Sequence, residues 1–153
     1  MLDAVVTLRP VGAVARLAGE KPGRDSNDDA AAEVVRIRLT VRAPERACDL
    51  KLWDAQGRNP KLLIPEAVHS QPDFDEIVWR PDYSIYDLDG QTVTWSVRLA
   101  SPRPDSFELR VEVLQGDSPL PDGRFMYAGR LEAAEIEERT GRFHFTVERK
   151  KSE

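Results

Sequence analysis

The sequence predicts an all-β domain, a two-sheet antiparallel β-sandwich that is immunoglobulin-like in architecture and has no disulfide. Three observations predict it: apolar and polar residues alternate strictly in several segments, turn-forming residues separate these segments, and the 153 residues include a single cysteine. The patterns account for about eight or nine strands. Length and composition fit one domain over residues 1–153.

The clearest strand runs from Val35 to Arg42, where aliphatic residues at odd positions alternate with arginine or threonine at even positions. The same pattern predicts strands over 93–99 and 107–113. Because successive side chains of a strand point to opposite faces, each of these strands has one face in the core and one in water. Residues 142–148 also alternate, and the preceding Arg139-Thr140-Gly141 predicts a hairpin turn.

Weaker patterns predict further strands over 4–9, 11–17, 49–54, 76–80 and 125–131. The segments between strands are rich in Gly, Pro, Asn and Asp, which favour turns. Asp89-Gly90 predicts a bend over Leu88–Gln91 between two strands, and Pro119–Gly123 predicts another turn. Residues 132–138 have helix-favouring composition, but the alternation around them favours a strand that continues into the C-terminal hairpin.

Two segments lack a regular pattern. Residues 20–32 are polar and acidic, with nothing apolar to bury, and they predict a mobile acidic loop. Residues 62–86 contain three prolines and predict a long crossover from one sheet to the other. Because long irregular segments on a rigid scaffold often carry function, the crossover is the first place to look for a site.

Charge and cysteine content limit the partners and the compartment. Lys and Arg number 22 against 27 Asp and Glu, a net charge of −5, which argues against nucleic acid as a partner. No apolar run reaches the roughly eighteen residues of a membrane-spanning helix. The N-terminal residues lack a basic leader and Cys48 stands alone, so we expect a cytoplasmic protein.

Charged residues on the polar side of two predicted strands suggest a cross-strand ladder. If the strands over 35–42 and 107–113 are neighbours, Arg36, Arg38 and Arg42 stand near Glu108 and Glu112. Such pairs set the register and keep the outer face solvated. The alternative interpretation is an arginine-rich face that receives an acidic partner.

The sequence offers no catalytic constellation, so we expect no enzyme activity, no cofactor, no metal and no small-molecule ligand. His69 and His144 are the two histidines, and no Gly-x-Ser-x-Gly string occurs. The string from Tyr86 to Val93 resembles the Asp-x-Asp-Gly-Thr nucleophile motif of haloacid-dehalogenase-type phosphatases. Gln91 interrupts it, and the alternating strand-helix units of that family are missing, so the string is interpreted as a turn.

Three carboxylates suggest one alternative function. Asp82, Asp87 and Asp89 lie close together in sequence, at the end of the predicted crossover. Calcium takes six to eight oxygen ligands from loops of this kind, although the spacing of the twelve-residue calcium loop is absent. A calcium-dependent β-sandwich that binds a ligand or a membrane is therefore kept as an alternative.

An aromatic cluster in the same segment suggests the preferred function. Trp79, Arg80, Tyr83 and Tyr86 are residue types that dominate protein-binding hot spots, because they combine large contact area with a polar tip. In the competing interpretation Trp79 and one tyrosine plug the end of the sandwich. The sequence thus predicts a non-enzymatic protein-binding or assembly (adaptor) module that uses these four residues. A structural subunit of a larger complex is a further alternative.

Overall fold

A computed structural model describes residues 2–9, 34–54, 61–81 and 85–148. The predicted acidic loop over 20–32, the predicted strand over 11–17, Asp82 and Tyr83 lie outside these ranges. The described residues form ten strands and one short helix: β1 (Leu2–Leu8), β2 (Val35–Arg42), β3 (Ala47–Asp54), β4 (Lys61–Leu62), β5 (Ala67–Gln71), β6 (Phe74–Trp79), α1 (Ile85–Leu88), β7 (Thr92–Ala100), β8 (Asp105–Gln115), β9 (Ser118–Leu131) and β10 (Ile136–Val147).

The strands form two five-stranded sheets. Sheet A has the order β1-β10-β7-β3-β4, and sheet B has the order β5-β6-β2-β8-β9. Neighbouring strands are antiparallel except β1 and β10, which run parallel. The predicted all-β, two-sheet sandwich is confirmed, with ten strands among the described residues where about eight or nine were predicted, and Cys48 is a free cysteine.

The core lies between the sheets and consists of the inward-facing side chains of the alternating strands. Ile37 and Leu39 of β2 are fully buried, and Trp95 of β7 is 1% exposed. The Trp95 ring stacks on Phe125 of the opposite sheet, with ring centroids 5.7 Å apart. Strict alternation therefore identified the core-facing residues of these strands, since a half-buried strand must place every second side chain inward.

The predicted hairpin turn at Arg139-Thr140-Gly141 is wrong. Strand β10 runs without interruption from Ile136 to Val147, and Gly141 pairs with Trp95 of β7. The chain turns earlier, over residues 132–135, where Ala134 has a φ of 63°. Gly141 lacks a side chain because the Trp95 ring occupies the space beside it, rather than because the backbone turns there.

The segment over 62–86 is more regular than predicted. The chain passes from sheet A to sheet B between β4 and β5, forms the β5–β6 hairpin, and returns to sheet A between β6 and β7. Its prolines Pro65, Pro72 and Pro81 lie outside the strands, where the missing N–H costs no ladder bond. The predicted bend over 88–91 does not lie between two strands, because residues 89–91 connect α1 to β7; Gly90 there has a φ of 81°.

Candidate functional site

The structure separates the residues that the sequence predicted as partner contacts. Trp79 is 5% exposed and packs in the core at the end of β6, so it is a core residue rather than a contact residue. Arg80 follows it on the surface, with its Nη1 3.9 Å from Oε1 of Glu66. Tyr86 is 52% exposed on α1, which packs against β10 of the other sheet. Tyr83 lies outside the described residues.

Of the three carboxylates of the calcium alternative, that of Asp89 has a structural role, and Asp82 lies outside the described residues. Oδ1 of Asp89 accepts a 3.1 Å hydrogen bond from the backbone N–H of Val147, and the backbone carbonyl of Asp87 accepts one from the Gln91 side chain. These bonds hold the segment between α1 and β7 together and tie it to the end of β10. Within the described part of the chain no three His, Cys, Asp or Glu side chains converge as a metal site.

The two most exposed aliphatic side chains of the described residues lie at the start of the β5–β6 hairpin. Ile64 is 85% exposed and Val68 is 68% exposed, while Leu62 is 48% exposed. All three lie along one side of the sandwich, because β4 and β5 follow each other in the chain and are the end strands of the two sheets. We call Leu62, Ile64, Val68 and the strand β5 together the β5 edge surface.

Strand β5 is the least protected edge strand of the described sheets. Sheets normally protect an edge with charged side chains, prolines or bulges, or keep it very short. Strand β1 contains Asp3, β4 has two residues including Lys61, and β9 contains two prolines and three charged residues. Strand β5 contains no charge, Pro or Gly, and no described strand pairs with its outer side.

The charges beside β5 differ between its two ends. Glu66, just before the strand, lies 3.6 Å from Nε of Arg36 and 3.9 Å from Nη1 of Arg80, so arginine is in excess at this end. Asp73 lies in the hairpin turn that ends the strand, and its side chain is 71% exposed. Its Oδ2 is 4.0 Å from Nη1 of Arg42, a loose ion pair. The end of β5 therefore presents an accessible carboxylate.

A buried arginine fixes the hairpin that carries β5. The Arg46 side chain is 7% exposed, and its Nε donates a 2.8 Å hydrogen bond to Oδ2 of Asp75 in β6. Ser70 of β5 donates to the other carboxylate oxygen at 2.6 Å. The hydrogen bond from Arg46 holds the pKa of Asp75 below its ordinary value, and the Ser70 bond adds to this effect. The remaining Arg46 donors reach the backbone carbonyls of Ala43, Gln71 and Pro72.

The predicted cross-strand ladder is present on the outer face of sheet B. The register of β2 and β8 places Arg38 opposite Glu112 and Arg42 opposite Glu108. Glu112 is only 2% exposed, and two arginines offset the cost of burying its charge: Nη2 of Arg38 donates a 2.9 Å hydrogen bond and Nε of Arg124 lies 3.7 Å away. Glutamates and arginines of the chain itself thus pair on this face.

The Cys48 thiol is predicted to react slowly with alkylating reagents while the protein is folded. Burial, with the nearby carboxylate of Asp75, raises the pKa of Cys48 to about 12. Because the thiolate is the reactive form, iodoacetamide at slightly alkaline pH should label the folded protein at least about a hundredfold more slowly than the unfolded chain. Mass spectrometry with and without denaturant measures this ratio, and similar rates in both states would contradict the assigned environment of Cys48.

Ile64 and Val68 were not predicted from the sequence as candidate contact residues. Both lie in the segment that was predicted as an irregular crossover, where no alternation assigns side chains to faces. The available signal was the aliphatic run Leu62-Leu63-Ile64, which ends at Pro65 in a segment without a strand pattern. Of this run, Leu63 packs against the core, whereas Ile64 points into solvent.

Comparisons with known proteins add little to this geometry. No family model matches the sequence, and no curated protein matches it. Among solved structures, the chain is similar to a domain of unknown function from Bacteroides vulgatus, with 8% identity and a TM-score of 0.42. That match covers 72% of this chain and 95% of the other. Separately, no helix among the described residues is long and apolar enough to cross a membrane.

Proposed function

We propose that this chain is a non-enzymatic protein-binding module and that a partner binds at the β5 edge surface. The observation that carries the proposal is the exposure of Ile64 and Val68 beside an edge strand that has no protecting charge or proline. A sheet edge offers a row of backbone donors and acceptors to another extended segment, and side chains next to it add apolar contact. Both features are present on this one surface.

The apolar contribution is large enough to matter for affinity. Burying an exposed aliphatic side chain is worth about 2 kcal/mol, so Ile64 and Val68 together offer a substantial share of a micromolar interaction. Single exposed aliphatics are ordinary on protein surfaces, but a group of them next to an open edge is a liability for aggregation. A binding function gives a physical reason for keeping both.

Of the predicted contact residues, Arg80 lies within the proposed contact area and Tyr86 lies outside it. Arg80 lies beside the β5 edge surface through its contact with Glu66, so the proposed contact area includes it. Tyr86 is exposed on α1, which packs against sheet A, and it is not part of the β5 edge surface. If Tyr86→Ala weakens partner capture, the contact area extends to α1; otherwise binding is confined to the β5 edge surface.

Lysine at either exposed aliphatic position should abolish binding while leaving the fold intact. Val68→Lys and Ile64→Lys place a charge in the proposed interface, yet both side chains are already in solvent, so each change should alter stability by less than about 1 kcal/mol. We expect proteins captured from a lysate of the source cells by the wild-type chain to be lost with both variants. Ile136→Lys is the matched control, since Ile136 is 62% exposed at the start of β10 in the other sheet.

Quantitative mass spectrometry of the captured proteins, together with thermal melts of each variant, provides the measurement. Capture that persists with both Val68→Lys and Ile64→Lys at wild-type levels would refute the β5 edge surface as the binding site. Loss of capture with Ile136→Lys as well would show that added positive charge, rather than its location, causes the effect.

A further inference from the structure

We infer that the segment that binds the β5 edge is β5 of a second copy of this chain, paired antiparallel across a two-fold axis. The inference rests on the proposed function, because it names the partner of the same surface. Two copies of five-stranded sheet B then join into one continuous sheet of ten strands. Two-fold symmetry is the commonest arrangement of homodimers, and it places the same patch on both sides of the interface.

The sequence of β5 is compatible with pairing to itself. The strand reads Ala-Val-His-Ser-Gln over Ala67–Gln71, so no antiparallel register of two copies opposes two permanently charged side chains. Like charges directly opposite each other destabilise a strand pair. Edge strands that must avoid their own copies commonly contain lysine or proline, and β5 contains neither.

Antiparallel pairing brings together two exposed side chains of opposite charge, each of which makes only a loose ion pair within its own chain, at 3.9 Å for Arg80 and 4.0 Å for Asp73. Arg80 lies beside the start of the strand, and Asp73 lies in the turn at its end. In an antiparallel pair, the start of one β5 is next to the end of the other. When His69 faces His69 of the second copy, the β5–β6 register places Arg80 level with Asp73 of that copy, two strand spacings away, about 10 Å. An arginine and an aspartate side chain span this distance, and two-fold symmetry makes the contact twice.

Ile64 and Val68 also favour a second copy over an unrelated protein. Selective binding of a different protein usually depends on complementary charge, and the five residues of β5 carry no permanent charge. Across a two-fold axis, by contrast, both copies contribute Ile64 and Val68 to the same interface, so its apolar area is twice that of one chain. Each copy then covers aliphatic surface that is open to solvent in the single chain.

Sedimentation velocity of the full chain tests whether this association occurs. We expect a reversible monomer–dimer equilibrium of the wild-type protein between micromolar and millimolar concentration. Val68→Lys should raise the dissociation constant at least about tenfold, because two-fold symmetry brings two new charges into the interface. Ile136→Lys, which adds the same charge away from β5, should leave the equilibrium unchanged.

A charge-exchange experiment tests the antiparallel arrangement. Asp73→Lys alone opposes two cations at each symmetric contact, and Arg80→Glu alone opposes two anions, so each variant should dimerise at least about tenfold more weakly than wild type. An equimolar mixture of the two variants should associate again. In the mixed dimer one contact is the native Arg80–Asp73 pair, and the other has both charges reversed.

The outcomes separate this inference from the function on which it rests. Restored association in the mixture, with wild-type melting temperatures for both variants, supports the two-fold pairing. A wild-type chain that remains monomeric at millimolar concentration, or a mixture of folded variants that does not associate, overturns it. If the chain is monomeric but Val68→Lys still abolishes partner capture, then the inference fails and the proposed function stands.

Discussion

Replacing Gly141 with alanine is expected to destabilise the fold by about 3 kcal/mol, because the new methyl group has no space. A Cβ at this position would lie 2.5 Å from three atoms of the Trp95 indole, far inside normal van der Waals contact. Trp95 cannot move away easily, since it is 1% exposed and stacks on Phe125. Thermal unfolding with tryptophan fluorescence as a second probe measures both the loss of stability and the displaced ring.

Gly90→Ala is the control that separates lack of space from backbone strain. Gly90 has a φ of 81°, and a Cβ there meets nothing within 4 Å. Its replacement should cost about 1 kcal/mol for the left-handed backbone, with no change in the environment of Trp95. Equal losses for Gly90→Ala and Gly141→Ala would contradict the steric explanation.

A double-mutant cycle tests the contact itself. Trp95→Leu removes the ring atoms that a Cβ at position 141 would meet, although it leaves a cavity of its own. Gly141→Ala should therefore cost less in the Trp95→Leu background than in the wild-type protein. Additive losses would show that the two residues do not interact.

The sequence predicted the strands that have one buried face and one solvent-exposed face. Residues 35–42 were predicted as a strand with the bounds that β2 has, and the strand predicted over 93–99 has one face in the core, where Trp95 is buried. Both predictions depend on local alternation, which records how each strand divides its side chains between core and solvent. The turn predicted at Gly141 was wrong because a glycine that makes room for a distant ring looks the same in sequence as a glycine in a turn.

Strands at the sheet edges were harder to predict, because the strand order fixes them and local pattern does not. Pro119 and Pro121 indicated a turn, yet they lie inside β9, an edge strand in which an absent N–H need not remove a ladder bond. The ladder between β8 and β9 also shifts register between Glu112 and Leu114, opposite this stretch. The regularity that sequence reading requires is therefore missing there.

The candidate site depends on the same long-range information. Nothing local shows that Ile64 and Val68 remain exposed, since aliphatic residues between prolines are as easily part of a core. Their exposure follows from β4 and β5 being the end strands of their sheets, which depends on pairings between residues far apart in sequence. The burial of Trp79 has the same origin, because β6 is covered by sheet A.

Replacing Arg46 with methionine is expected to cost about 3 kcal/mol and to loosen the β5–β6 hairpin. Methionine keeps most of the side-chain length, but it cannot donate to the Asp75 carboxylate or to the three carbonyls that Arg46 serves. Arg98→Met is the control, because Arg98 is 54% exposed and forms a single 3.6 Å ion pair with Glu138. It should cost less than about 1 kcal/mol.

Hydrogen exchange locates the effect of Arg46→Met. Amide protons of β5 and β6 should exchange faster in the variant, while those of β10 in the other sheet should follow only the change in global stability. A loss as small as that of Arg98→Met, or exchange that accelerates equally throughout the chain, would refute the role assigned to Arg46.

The dependence of this effect on pH follows from Asp75. Its pKa is lowered in the folded protein, chiefly by the Arg46 hydrogen bond, so its ionised form stabilises the fold at pH values above the ordinary value of 3.8. This contribution is lost as the pH falls through the lowered pKa, and the difference in the free energy of unfolding between wild type and Arg46→Met should narrow there.

Because Arg46 holds the hairpin that presents Val68, the variant should also weaken partner capture at neutral pH. Val68→Lys, in contrast, should weaken capture without loosening the hairpin, which distinguishes a residue that positions the surface from one that forms it.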